Sequence, residues 1–212
     1  MKLKNDNENI IKVKLIEINN INSFNGMFAD CDQLLSIENI SLLDTSKVIN
    51  FSCMFSGCIS LSTISDFSNW DTSNVTNMSA MFTSASSLTN ITGATNWNTS
   101  SVTDMSSMFS NTKITNIDAL ATGTRSENNY VSWDTSNVTT TQGMFDNATS
   151  LTNIAGATNW DTSKVTNMFQ MFYYDQNITS LQPLDNWDIS KVTNMTNIFY
   201  GIPDTVPRPT WY

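Results

Sequence analysis

The sequence predicts a repeat solenoid of about seven 27-residue turns, mainly β, built from short parallel strands, turns and short helical pieces. Three observations predict it. A Met-Phe pair recurs at Met27-Phe28, Met54-Phe55, Met81-Phe82, Met108-Phe109, Met144-Phe145 and Met171-Phe172, with Ile198-Phe199 as an altered seventh copy. The spacings between copies are 27, 27, 27, 36, 27 and 27 residues. Between the copies the chain is crowded with Asn, Ser and Thr, which suit turns and strands better than long helices.

The register runs from Ile10 to Phe199 and predicts one elongated domain over residues 1–212. Its parts are an N-terminal capping strand region at 1–18, repeats over 19–200 with an insertion near 121–132, and a C-terminal cap or linker at 201–212. Ile11, Lys12, Val13, Lys14 and Leu15 alternate apolar and polar, as a strand opening the stack would. In each unit one apolar cluster follows the Met-Phe pair, as in Leu61 and Ile64 or Leu151 and Ile154. It reads as a short strand pairing in parallel with its neighbours, the rest of the unit serving as crossover. The copy at Ile114 and Ile117 is shifted by one residue. A second cluster precedes the pair, as in Val75 and Met78, and reads as a second short strand or a single helical turn.

Repetition turns each conserved-looking side chain into a ladder. The Met-Phe ladder predicts core. Trp70, Trp97, Trp133, Trp160 and Trp187 predict a buried corner, since Leu43 takes the same place in one copy; exposed, they could stack on sugar rings. Asp44, Asp71, Asp134, Asp161 and Asp188 predict capped turns, the carboxylate accepting from backbone N–H groups just ahead. Aligned acids can also mark calcium sites, but Asn98 keeps the acceptor while losing the charge, which favours capping. Threonine ladders, such as Thr76, Thr103, Thr139, Thr166 and Thr193, also admit an ice-binding reading.

Composition narrows function. The net charge is −9, and four of the ten basic residues fall in the first fourteen positions, so no basic stripe for nucleic acid runs along the repeats. There is no histidine, hence neither the commonest general base nor the commonest zinc ligand. The acids are spread one per unit, whereas catalysis needs a local, asymmetric cluster, so no enzyme, cofactor or metal site is expected. Cys31 and Cys58 share a repeat position one turn apart, within disulfide reach. Their counterparts Ala85, Thr112 and Ala148 are small, which favours buried thiols. No apolar run is long enough to span a bilayer, and the N-terminus lacks the apolar run of a signal peptide, so the chain is cytoplasmic or a fragment.

Where the period breaks, a partner has something to read. The longest spacing accommodates nine extra residues between Ile117 and Trp133. Arg125, Glu127 and Tyr130 in that insertion are the candidate partner contacts, because stacking does not explain them. A tolerated polar loop is the plainer reading.

The unit W-D-T-S-x-V-x-x-M-x-x-M-F, seen at Trp70 to Phe82, Trp133 to Phe145 and Trp160 to Phe172, is followed by C-x-x-L-x-x-I at Cys31, Leu34, Ile37 and at Cys58, Leu61, Ile64. This pattern resembles the BspA-type leucine-rich repeat of bacterial surface proteins. Departures are Leu43 for Trp, Asn98 for Asp, Thr141 for Met and Ile198 for Met. The resemblance implies a leucine-rich-repeat-like fold, a cell-surface or secreted location, and a non-catalytic adhesion module for a protein or glycan partner. The alternatives are a structural spacer that displays another part of a surface protein, an ice- or carbohydrate-binding solenoid, and an enzyme.

Overall fold

A computed structural model describes residues 21–37, 39–64, 67–121 and 133–212. The capping strand expected at 1–18 lies outside the described residues, as does all of the expected insertion except Ala121.

The 27-residue register is realised as coil upon coil. Single parallel bridges link Ser23, Asn50, Asn77, Asp104, Thr140, Asn167 and Asn194 in succession along one wall. A second column joins Thr63 to Asn90 and Asn116 to Asn153. Backbone bonds run between the same coils: the N–H groups of Phe24, Gly26, Phe28 and Asp30 donate to the carbonyls of Asn50, Ser52, Met54 and Ser56 at 2.7–3.0 Å. Buried backbone polar groups are thereby satisfied by the next coil.

The expected strands do not form. Among the described residues there is no strand, no sheet and no α-helix. The regular pieces are short 3-10 segments at Ile40–Leu42, Thr92–Asn96, Asp118–Leu120, Ala155–Ala157 and Gln182–Leu184. The β-rich, leucine-rich-repeat-like solenoid is therefore corrected to a succession of irregular coils held in register.

Two local causes stop the ladder. The first is side-chain competition at the bridge itself. Asn50 Oδ1 accepts from the Ser52 N–H at 2.8 Å, Asn77 from Ser79 at 2.8 Å, Asp104 from Ser106 at 2.8 Å and Asn167 from Phe169 at 3.0 Å. The second column behaves alike, Asn90 capping Thr92 and Asn153 capping Ala155, both at 2.8 Å. A short acceptor side chain that takes the N–H two residues on bends the chain out of the strand after one paired residue.

The second cause is handedness. In every coil the residue before the Met-Phe pair and the one two places after it take φ between 54° and 89°. The first set is Gly26, Cys53, Ala80, Ser107, Gly143, Gln170 and Asn197, and the second Asp30, Gly57, Ser84, Asn111, Asn147, Tyr174 and Gly201. Left-handed residues four apart are incompatible with either a strand or a helix. The Met-Phe motif is thus a run of tight turns.

Packing supplies what the backbone lacks. The rings of Phe28, Phe55, Phe82, Phe109, Phe145, Phe172 and Phe199 stack in one file with centroids 5.4–6.1 Å apart. Val75, Met78, Met81, Leu88 and most of their equivalents are buried around this file, several of those in the first and last coils only in part. Each large side chain removed from water contributes about 1.5–3 kcal/mol. Coils approach closely at the 3-10 segment Ala155–Ala157, where a Cβ on Gly156 would lie 2.0 Å from the Ile117 carbonyl oxygen.

The tryptophans are buried, at most 5% exposed from Trp70 to Trp187. Each indole N–H donates to a carbonyl of the preceding coil, those of Ile40, Phe67, Ala94, Leu120 and Ala157, at 2.9–3.1 Å. The final segment adds a rung that the 27-residue spacing conceals. Trp211 lies parallel to Trp187 at 6.5 Å and donates to the Leu184 carbonyl at 2.7 Å. Arg208 holds this segment, its guanidinium 5.9 Å from the Phe199 ring centre and donating to Ile202 O at 2.9 Å.

Candidate functional site

The repeated polar side chains serve the backbone. Ser46, Ser73, Ser136, Ser163 and Ser190 each donate an N–H to Oδ1 of the Asp two residues earlier, at 2.8–3.1 Å, and Ser100 donates likewise to Asn98 at 3.0 Å. Hydrogen bonds from serine hold the carboxyls of Asp44, Asp161 and Asp188 below the usual range. The next residue, Thr72, Thr99, Thr135 or Thr162, is buried and donates its hydroxyl to a carbonyl of the following coil. Among the described residues no three Asp, Glu, Cys or His side chains converge on a point that could hold a metal.

Exposed hydroxyls form a second, outward ladder. Thr76, Thr103, Thr139, Thr166 and Thr193 donate to carbonyls one coil back, at 2.8–3.2 Å counting backbone and side chain together. The wall is therefore polar, exposed and fixed at the period of the coils.

Arg125, Glu127 and Tyr130, the contacts expected from the sequence, lie outside the described residues. A notch of about 420 Å³ opens beside the second bridge column, lined by Asn90, Thr92, Thr95, Asn116 and Asp118 over Ile91. It lies two residues past the one-residue shift at Ile114. The second bridge column passes from Thr63 to Asn90 and resumes from Asn116 to Asn153, with no bridge between Asn90 and Asn116. Amides, hydroxyls and one carboxylate line the cleft.

A second irregular place was not foreseen. Asp175 stands where other coils carry Cys31, Cys58, Ala85, Thr112 and Ala148, and it is wholly buried with neither carboxyl oxygen hydrogen-bonded. Desolvation pushes its carboxyl well above the usual range, and Asp146 adds to the effect. Asp146 is itself raised by burial. Tyr173 and Tyr200 stack at 5.2 Å, and Tyr174, next to Asp175 in the chain, meets both edge-on at 4.7 and 5.4 Å. Aligning the residues after each Phe would have exposed this departure, since small side chains give way there to Tyr-Tyr-Asp.

All three cysteines are free thiols; Cys58 is buried, but Cys31, expected to be buried as well, is exposed. The Cys58 thiol donates to the Phe28 carbonyl at 3.1 Å, and burial pushes it up to about 12.

Among the described residues no helix is long and apolar enough to cross a membrane. The family described as "Mycoplasma protein of unknown function, DUF285" matches residues 2–122 and again 115–205. No curated protein and no solved structure matches the chain.

Proposed function

We propose that this chain, which belongs to the Mycoplasma protein family of unknown function DUF285, is a non-catalytic interaction module that binds a protein or glycan partner at a cell surface. One observation carries the reading. The side chains with chemical potential, Asp, Thr and the indole N–H, recur once per coil and are committed to backbone groups, which leaves a periodic polar wall and, on another face, a notch. Catalysis would need an acid, a base or a nucleophile gathered against a substrate pocket. Recognition needs only many fixed contacts.

The resemblance to bacterial surface repeats supports the location and is an associational argument. The spacer reading gives no role to the notch, which presents the amides of Asn90 and Asn116 and the carboxylate of Asp118. Arg125, Glu127 and Tyr130 are proposed as further contacts at the insertion.

The test is binding of the labelled full chain to immobilised neutral glycans and extracellular proteins. Saturable binding that falls at least five-fold in the Asn116→Ala/Asp118→Ala double variant is expected. Absence of saturable binding to every probe would favour the spacer.

A further inference from the structure

We propose that the corner formed by Asp146, Tyr173, Tyr174 and Tyr200 is a binding site for a cationic side chain, a lysine ammonium or an arginine guanidinium, presented by a basic protein segment. The inference rests on the interaction-module reading and names one partner class within it.

The backbone argues first. The position two residues after each Phe is left-handed in every coil, and six coils fill it with Asp30, Gly57, Ser84, Asn111, Asn147 and Gly201. These are residues that tolerate or locally stabilise that conformation, apart from the small Ser84. Tyr174 holds the same conformation, φ 61°, with a bulky ring, which is strained. The fold accommodates that ring next door: a Cβ on Gly201 would lie 3.0 Å from both the Tyr174 Cα and its ring carbon Cδ1. Asn at 174 would suit the backbone better, so the feature kept is the ring.

The neighbouring column agrees. One residue after each Phe the coils carry Ala29, Ser56, Thr83 and Ser110, then Asp146, Tyr173 and Tyr200. The change from small residues to an acid followed by two stacked rings is confined to the last three coils. Tyr174 is 37% and Tyr200 53% exposed, so aromatic surface faces water.

Charge selects the ligand. Ring faces are electron-rich and attract cations, the more so where water is displaced. Asp175 lies buried without a hydrogen-bond partner in the next position along the chain, and Asp146 is half-buried one coil back. Neither joins an ion pair among the described residues, and the whole chain carries −9. An anionic ligand gains nothing from the ring faces and meets a chain of net charge −9. A cation meets the rings and the half-buried Asp146 carboxyl one coil back.

The experiment titrates the full chain with a hexalysine peptide, reading affinity by calorimetry and the tyrosine ring signals by NMR. Expected are saturable binding, shifts confined to Tyr173, Tyr174 and Tyr200, and at least a five-fold loss of affinity in Tyr174→Asn and in Asp146→Asn. Tyr174→Asn relieves backbone strain and leaves net charge unchanged, so its loss of affinity cannot arise from unfolding or from diffuse attraction to an acidic protein. Tyr200→Ser should lose affinity as well. Asp71→Asn, on another corner, should bind as the unsubstituted chain does. Equal affinity of Tyr174→Asn, Tyr200→Ser and the unsubstituted chain overturns the proposal. So does a tyrosine response to cellotriose with none to hexalysine, which would make the corner a sugar ledge. Failure of hexalysine binding alongside retained partner binding at the notch removes this inference and leaves the interaction-module reading; the opposite pattern does the reverse.

Discussion

Asp175 occupies the place in its coil that Ala148 occupies in the coil before, so a carboxylic acid fills a slot shaped for a methyl group, with neither oxygen bonded. Leaving a buried polar group unsatisfied costs about 1–3 kcal/mol. Asp175→Ala should therefore stabilise the chain by about that amount, and thermal unfolding at neutral pH should shift up by roughly 2–4 °C per kcal/mol. A lower melting temperature would show that the carboxyl contributes something the geometry does not reveal.

The same group makes stability depend on pH in an unusual direction. Burial is the main cause of its raised carboxyl; the Ala148 N–H pulls the other way but already donates to the Phe145 carbonyl at 2.9 Å, so it offsets little. The folded state then binds the proton more tightly than the unfolded state. Its contribution is fully present below the unfolded carboxylate value of about 4 and is lost as pH rises through the raised folded value. Asp44, Asp161 and Asp188 act oppositely, losing their contribution only as pH falls through their depressed folded values. Urea midpoints measured from pH 5 to 9 should decline for the unsubstituted chain and decline less for Asp175→Ala. Parallel curves would contradict a shifted carboxyl.

Trp97 is wholly buried and donates to Phe67 O at 3.1 Å. Trp97→Phe removes that bond and part of the ring, while Phe67 O keeps the Trp70 backbone N–H at 3.2 Å. The expected loss is about 2 kcal/mol, near 1 for the bond and the rest for the space left behind. A reduced urea midpoint with unchanged slope would register it.

Thiol chemistry should separate the cysteines. Cys31 is exposed, whereas Cys58 is buried and its thiol is pushed up to about 12. Iodoacetamide at pH 8 should modify Cys31 quickly and leave Cys58 unmodified until denaturant is added, since the thiolate is the nucleophile. Rapid labelling of Cys58 in the native chain would mean that its coil opens readily.

The register, the buried ladders and the capped corners were legible because they depend on which side chains recur and at what interval. Asn98 in place of Asp was enough to distinguish a cap from a metal ligand, and its Oδ1 indeed accepts from Ser100 at 3.0 Å. Strands were expected because Val, Ile and Leu recur where parallel pairing would put them. What overrode that pattern was local and polar: Asn50 and Asn77 take the next available N–H for themselves, and left-handed residues such as Cys53 and Ala80 carry no mark in their chemistry. The candidate site was half legible. The one-residue shift at Ile114 signalled an irregularity in the repeat, yet it did not foretell the notch that lies two residues past it. The tyrosine corner keeps the 27-residue spacing, so it differs from its neighbours only in which residues fill ordinary repeat positions.

The indole file also gives the molecule an optical signature. Trp70 and Trp97 lie 6.1 Å apart with planes 6° from parallel, and Trp160 and Trp187 lie 6.1 Å apart at 7°. Chromophores this close and this ordered couple their electronic transitions. Near-ultraviolet circular dichroism therefore reports whether adjacent coils remain in step, and it would dim coil by coil if the chain unwound from one end.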